Sequence, residues 1–269
     1  MAGKLRQPDA KRVSPEAGDR QFVIALARGL RVLQAFSVGD EHLTNTELAR
    51  RTGLPRPTIS RLTHTLLRLG YLSSHPEGEG FRLEPHILTL GYPVLAGLGV
   101  RQIIRPMLQA IANDEAITAA MAMRDGVHMI FVERIRAPSI AAFEQDIGTR
   151  VPIATTAIGR AYMAGLSAPE RLSLLEEIRV SGLPEWWPQL SKAVEREMSR
   201  FANRGYCMGG DWNTEVTGVA VPYRLHNNVL LSVGCGGPRK QLTEERLEAI
   251  GERLKSIVSG LEKTPAGGL

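Results

Sequence analysis

From Phe22 onward, apolar residues recur at helical spacing. FVIALARGLRVLQAF sets Ile24, Leu26, Leu30, Leu33 and Phe36 mostly on one face, the pattern of an amphipathic helix. DEHLTNTELARRTG predicts a short second helix, with Thr44 or Asn45 as N-cap and Gly53 as its stop. A third helix follows Pro55 and Pro57, which suit a loop and a first helical turn. Within it Ile59, Leu62, Leu66 and Leu69 are expected to be buried against the first two helices. Ser60, Arg61, His64 and Arg68 fall on the opposite side, with Arg56 and Thr58 at its N-terminal end. YLSSHPEGEGFRL then predicts two short strands around a tight turn. Three helices followed by a hairpin make a winged helix-turn-helix.

The next segment, HILTLGYPVLAGLGVRQIIRPMLQAIAN, predicts a helical connector interrupted near Pro93 and Gly97 to Gly99 and restarted at Arg101. Its apolar residues need a partner, which makes it a natural place for subunit contact. Beyond it strand and helix patterns mix. ITAAMAMR and VHMIFVERI predict strands flanking Asp125 and Gly126, and TGVAVPYRL and VLLSVGCGG a hairpin around Asn227 and Asn228. TTAIGRAYMAG, APERLSLLEEI, PQLSKAVEREMSRFANRG and LTEERLEAIGERLKSIVSGL predict helices. The fold class is therefore α+β, with a mainly antiparallel sheet in the larger C-terminal part.

The balance of charge sharpens this division. Residues 1–90 carry 13 Lys/Arg against 9 Asp/Glu, net +4, whereas residues 91–269 carry 20 against 19, net +1. A basic excess concentrated on a helix-turn-helix points to a polyanionic partner. The first 20 residues lack hydrophobic period and read as a basic, disordered tail. No run of about 20 uncharged apolar residues occurs and the N-terminus lacks the apolar middle of a signal peptide, so a cytoplasmic protein is expected. Cys207 and Cys235 have neither C-x-x-C spacing nor a nearby histidine pair, and read as small packing residues. No metal site and no cofactor is expected.

A helix in the major groove needs donors to base edges near its N-terminal end and others that hold phosphates. Arg56 and Arg61 are the best base readers, because a guanidinium can bond guanine O6 and N7 together. Thr58, Ser60 and His64 suit either phosphate or base. Thr44, at the start of the second helix, is a further DNA-binding candidate, and Arg50 and Arg51, near its end, clamp phosphate; Arg82 in the wing, with His75 nearby, approaches the backbone or minor groove.

Together these residues resemble the IclR family of bacterial transcriptional regulators. The N-terminal marks are RGLRVLQAF, LTNTELARRTGLPRPTISRLTHTLLRLGYL and FRLEPHILTLG; the C-terminal marks are GTRVPIATTAIGRAYMAGLS, RGYCMGGDWNTEVTGVAVPY and SVGCGGPRKQLTEERL. The resemblance implies a DNA-binding domain over residues 21–84, a linker helix over 85–101 and a GAF-like effector-binding domain over 102–264. It also implies homodimers that pair into tetramers on palindromic operator DNA, and no membrane association.

Carried over from the family, the effector positions are Ala157, Ile158, Asp211, Gly218, Gly234 and Gly236. Members that bind small α-keto acids have serines on the last strand and a cysteine before the AAP-like strand, where this chain has Gly234, Gly236 and Gly218; the stretch between Gly205 and Pro222 is also one residue shorter. Losing hydroxyls implies a roomier, less polar pocket, for which Met121, Met123, Met129, Phe131 and Trp212 are candidate lining residues. An aromatic or larger organic acid would suit it, its acidic end held by backbone N–H groups at the start of the TTAIGR helix. The expected function is a repressor of a catabolic operon relieved by ligand, with a ligand-dependent activator as the alternative. An enzyme with a GAF-like domain is disfavoured because no catalytic signature occurs in its required context and His128, on a strand, reads as structural. A DNA-binding architectural protein would not need the sensor-like second half.

Overall fold

The computed structural model describes residues 20–75, 80–139, 146–181, 187–210 and 215–262. Asp211 and Trp212 lie outside the described residues, as does most of the N-terminal tail. The chain divides into two compact units, one ending at Leu98 and the other beginning at Gly99.

The first unit contains α1 (Ile24–Gln34), α2 (Asn45–Thr52) and α3 (Arg56–Arg68), then β1 (Leu72–Ser74) and β2 (Phe81–Leu83), paired antiparallel with Leu72 opposite Leu83. Leu43 bridges to Phe81, which ties the start of α2 to the wing. Thr44 caps α2: its hydroxyl accepts from the Glu47 N–H, and the Glu47 carboxylate accepts from the Thr44 N–H. Those bonds, the backbone one foremost, hold the Glu47 carboxyl below its ordinary pKa. Gly53 ends α2 in the left-handed region at φ 70°. Val32, Leu43, Leu48, Leu54, Ile59, Leu66 and Leu72 form the core.

Two faces differ from expectation. On α1 and just after it the inward positions are Gly29, Val32, Leu33 and Phe36, while Ile24, Leu26 and Leu30 stand out at 50%, 62% and 46% exposure. Gly29 presents no side chain, so α3 closes there: a Cβ on it would touch the Leu62 side chain at 4.0 Å. On α3, Leu69 is exposed because it lies just past the last helical residue, and Thr63 takes the inward place by donating its hydroxyl proton to the Ile59 carbonyl at 3.0 Å. A 3₁₀ turn at Pro85–Ile87 leads into α4 (Leu88–Ala96). Pro93 sits inside α4 rather than interrupting it, and the connector breaks only at residues 97–99.

The second unit starts with α5 (Val100–Glu115), followed by β3 (Thr118–Asp125), β4 (His128–Arg136), β5 (Arg150–Pro152), α6 (Ala157–Ala164), α7 (Ala168–Val180), α8 (Trp187–Arg204), β6 (Cys207–Gly209), β7 (Val216–Arg224), β8 (Leu230–Pro238) and α9 (Glu244–Glu262). The strands form one sheet in the order β5-β4-β3-β8-β7-β6, with every neighbouring pair antiparallel. Both hairpins fall where the sequence predicts them, and Asn228 adopts φ 69° in the second. The short edge strands β5 and β6 have no hydrophobic alternation long enough to reveal them. Among the described residues no single helix is long and apolar enough to cross a membrane.

The ladder between β3 and β4 carries a bulge: Met121 pairs with Glu133 and Ala122 with Phe131, so Val132 is extra. Strict alternation would place Phe131 and Glu133 on one face and Arg134 on the other. The extra residue reverses the phase. Phe131 and Arg134 share the face of Thr118, Ala120 and Ala122, whereas Glu133 turns to α5. There Arg101 donates to its carboxylate at 3.0 and 3.2 Å and Arg105 at 3.1 Å, with the Glu133 side chain only 2% exposed. Breaking a buried ion pair by removing one partner costs about 3 kcal/mol. Glu133→Ala is accordingly expected to destabilise the second unit by about that amount. All three tryptophans, Trp186, Trp187 and Trp212, belong to this unit, so urea unfolding followed by tryptophan fluorescence measures the loss.

Candidate functional site

The exposed side of α3 is polar along its length. Arg56, Ser60, Arg61, His64 and Arg68 are exposed and Thr58 is half-buried, while Ile59, Thr63 and Leu66 hold the other side in the core. Pro57 stands in the first turn, where its missing N–H costs no helical bond. Among the described residues, the side chains of Arg50, Arg56, Arg61 and His64 make no ion pair or hydrogen bond with the protein. Arg56, Arg61 and His64 stand in water on α3, and Arg50 stands in water near the end of α2, cations of the kind that base and phosphate recognition requires.

The other proposed contacts are differently employed. Arg51 is drawn inward: its guanidinium meets the Asp40 carboxylate at 2.5 and 2.9 Å and donates to the Ala35 carbonyl at 3.0 Å, which raises its pKa above the ordinary arginine value. It fastens the α1–α2 turn to α2, so the expected phosphate clamp is replaced by an internal tie. The Thr44 hydroxyl is engaged in the α2 cap. Arg82 is exposed on the wing, donates to the Ser73 hydroxyl at 2.9 Å and lies 3.4 Å from Glu84. His75 packs against His42, ring centroids 4.4 Å apart.

In the second unit a cavity of about 100 Å³ opens between the sheet and the start of α6. It is bounded by Thr118 and Ala120 of β3, Phe131 and Arg134 of β4, Ala157 and Ile158 of α6, and Gly218, Gly234 and Gly236 of β7 and β8. The size is of the order of the roughly 150 Å³ that accepts a benzene-sized molecule. Thr156 caps α6 by accepting from the Gly159 N–H at 3.1 Å, and donates to the Pro152 carbonyl at 2.7 Å. Arg160, 4% exposed, donates to the Ala154 and Met208 carbonyls and pins the loop to β6. The loop lies so close to its neighbours that a Cβ at Gly159 would fall 2.0 Å from the Ile153 carbonyl oxygen, and one at Gly209 would fall 2.4 Å from the Ala157 nitrogen.

Six of the expected lining residues meet here: Phe131, Ala157, Ile158, Gly218, Gly234 and Gly236. The methionines do not. Met121 and Met123 point to the other face of the sheet, and Met129 shares the cavity's face but is wholly buried in the cluster with Ala122, Tyr162 and Leu174. The glycines also differ in meaning from a loss of hydroxyls that opens space. A Cβ at Gly218 would sit 2.6 Å from the Cys235 carbonyl oxygen, and one at Gly234 would sit 2.8 Å from the Ala220 Cβ and 2.9 Å from the Ile158 Cγ1. They mark close approach of strands and helix. Arg134, Thr118 and Thr156 line the cavity as well, and the sequence signal for Arg134 is charge inside the otherwise apolar run MIFVERI.

Cys207 and Cys235 are buried, and burial raises both thiols well above the ordinary range, which leaves them unreactive packing residues. His128 lies with its Nδ1 3.2 Å from the Arg150 guanidinium, which in turn pairs with Asp125 at 2.7 Å. Among the described residues no group of three His, Cys, Asp or Glu side chains is arranged to hold a metal.

Known proteins agree with both halves. Residues 25–76 match the IclR helix-turn-helix domain, and residues 93–262 match the bacterial transcriptional regulator IclR C-terminal domain. The chain belongs to the IclR family of transcriptional regulators. It is 31% identical to the HTH-type transcriptional regulator TsaQ1/TsaQ2 of Comamonas testosteroni, over 97% of this chain and 94% of that protein. It superposes on the crystal structure of an IclR family transcriptional regulator from Brucella abortus with TM-score 0.75 and 41% identity, over 92% of this chain and 96% of that one. An IclR homologue from Microbacterium hydrocarbonoxydans complexed with 4-hydroxybenzoate shares the fold at TM-score 0.70 and 22% identity, over 89% and 100% of the two chains. The IclR family is one of regulators rather than enzymes; its members bind DNA through the first domain and small effectors.

The internal tie of Arg51 separates it from its neighbour Arg50. Arg51→Ala is expected to lower the stability of the first unit by about 1 kcal/mol, the worth of a half-exposed ion pair of good geometry. The salt dependence of DNA affinity should stay unchanged, and far-UV melting beside binding titrations at several salt concentrations checks both.

Proposed function

We propose that this IclR-family protein represses a catabolic operon and is released from it by a small organic acid with an aromatic or other apolar body. The observation that carries the proposal is the joint presence of a water-facing row of cations on α3 and an apolar cavity in the second unit. In this reading residues 21–84 bind DNA, 85–101 connect and 102–264 bind the effector. Arg56 and Arg61 read bases, Thr58, Ser60 and His64 contact base or phosphate, and Arg50, Arg82 and Thr44 bear on the backbone.

The cavity's walls of Ala120, Phe131, Val151 and Ile158 favour an apolar ligand body. The free N–H groups of the first α6 turn, at Ala157 and Ile158, suit the ligand's polar end. The 4-hydroxybenzoate held by the Microbacterium homologue is a ligand of this kind. An architectural DNA-binding protein would have no use for such a cavity.

A second copy of the chain is part of the proposal. Val23, Ile24, Leu26 and Leu30 of the α1 region, and Leu88, Leu90, Tyr92 and Val94 of α4, are exposed at 46% or more, an apolar surface that subunit contact would cover. Dimers, and tetramers built from them, then meet palindromic half-sites about one or more helical turns apart. Effector and operator each favour one arrangement of connector and subunits, and so alter each other's affinity. A ligand-dependent activator would use the same parts with the opposite sign.

Arg61→Ala is expected to cost about 1 to 3 kcal/mol of operator affinity and to relax discrimination at one base pair per half-site. Arg50→Ala should weaken all sequences alike and reduce the salt slope by about 0.9 for each phosphate that is no longer neutralised. Anisotropy titrations on operator and scrambled duplexes distinguish the two. Unchanged operator binding by a folded Arg61→Ala protein would remove Arg61 from the reading set.

A further inference from the structure

The cavity has one ionic feature. Among the described residues that line it, Arg134 carries the only charged side chain. It is in the cavity because Val132 is extra in the β4 ladder; without that bulge Arg134 would lie on the α5 side of the sheet and Glu133 would face the ligand space. Its guanidinium carbon lies 5.1 Å from the centre of the Phe131 ring, which supports the cation along one side. Burial, reinforced by the like charge of Arg136 and only partly offset by Asp146, lowers its pKa to about 10. It is therefore still cationic at neutral pH.

We infer that Arg134 is the residue by which the protein selects anionic effectors: it takes the carboxylate of a compact monocyclic organic acid whose ring lies along Phe131, Ala120 and Ile158. The inference rests on the effector-binding reading of this cavity and deepens it. A guanidinium presents two parallel N–H donors to a carboxylate, and charge-assisted bonds of that kind are stronger than those of neutral donors. The close-packed glycines of β7 and β8 supply a smooth wall, and the polar side chains that also line the cavity, Thr118, Thr156 and Thr217, are uncharged. Discrimination then depends on ligand charge at one end and ring size at the other.

Calorimetric titration of the full-length protein with benzoate and 4-hydroxybenzoate, against neutral benzamide and 4-hydroxybenzamide, tests this directly. The wild type is expected to favour each acid over its amide by at least about tenfold, the equivalent of one good charge-assisted contact. Arg134→Gln should lose at least about tenfold in acid affinity while amide affinity stays within about twofold, and Arg134→Lys should keep part of the preference. If Arg134→Gln does not fold, Arg134→Met, which retains the apolar stem, gives the same readout. Acid affinity unchanged in a folded Arg134→Gln protein would overturn the role of Arg134 and leave the effector class standing. A wild type that binds acid and amide equally, or neither, would overturn the inference together with the aromatic-acid reading.

Discussion

Val132 has no partner across the β4–β3 ladder, and the arrangement of charge in the second unit follows from that one extra residue. With it, Glu133 meets Arg101 and Arg105 of α5, and Arg134 enters the cavity. Without it, a carboxylate would face the largely apolar cavity and Arg134 would join Arg101 and Arg105 on the α5 side. Both outcomes bury charge against its interest, and an uncompensated buried charge costs several kcal/mol. The bulge thus sorts charges to the two faces of a sheet that helices cover on both sides. It also places a cavity-lining residue immediately beside the residue that holds α5.

The first unit follows a simpler rule. Ile59, Thr63 and Leu66 fix α3 from within, and the polar row outside them has no internal employment. Side chains that are satisfied inside the protein are poor readers of DNA, because each contact would first have to break an existing one. Arg51 illustrates the point: its position on α2 suits a phosphate, but Asp40 and the Ala35 carbonyl already occupy it. Arg50, one residue earlier, has no such engagement.

Much of this was legible in the sequence, and what was not has identifiable causes. The three helices, the wing, both long hairpins and α9 follow from period and turn chemistry. The inward face of α1 did not, because Ile24, Leu26 and Leu30 have the spacing of core residues whether a core or a second molecule covers them. The strands of a sheet covered on both faces carry apolar residues on both, so alternation gives no phase and does not reveal that Met121 and Met123 face away from the cavity. A bulge leaves no mark in composition, so the sequence alone does not place Arg134 on the cavity face. The glycines that the family pattern picks out line the cavity, but their crowding by Cys235, Ala220 and Ile158 is a property of the packed structure alone.

The central claim is that one molecule joins the α3 face to the cavity, so that occupation of either changes the affinity of the other. The most direct measurement is the affinity of the full-length protein for a duplex selected from a randomised pool, by fluorescence anisotropy at fixed salt, with and without saturating 4-hydroxybenzoate. The account predicts a change of at least about fivefold, matched by an equal change in ligand affinity when saturating duplex is present. The same duplex affinity with the acid demonstrably bound would contradict it.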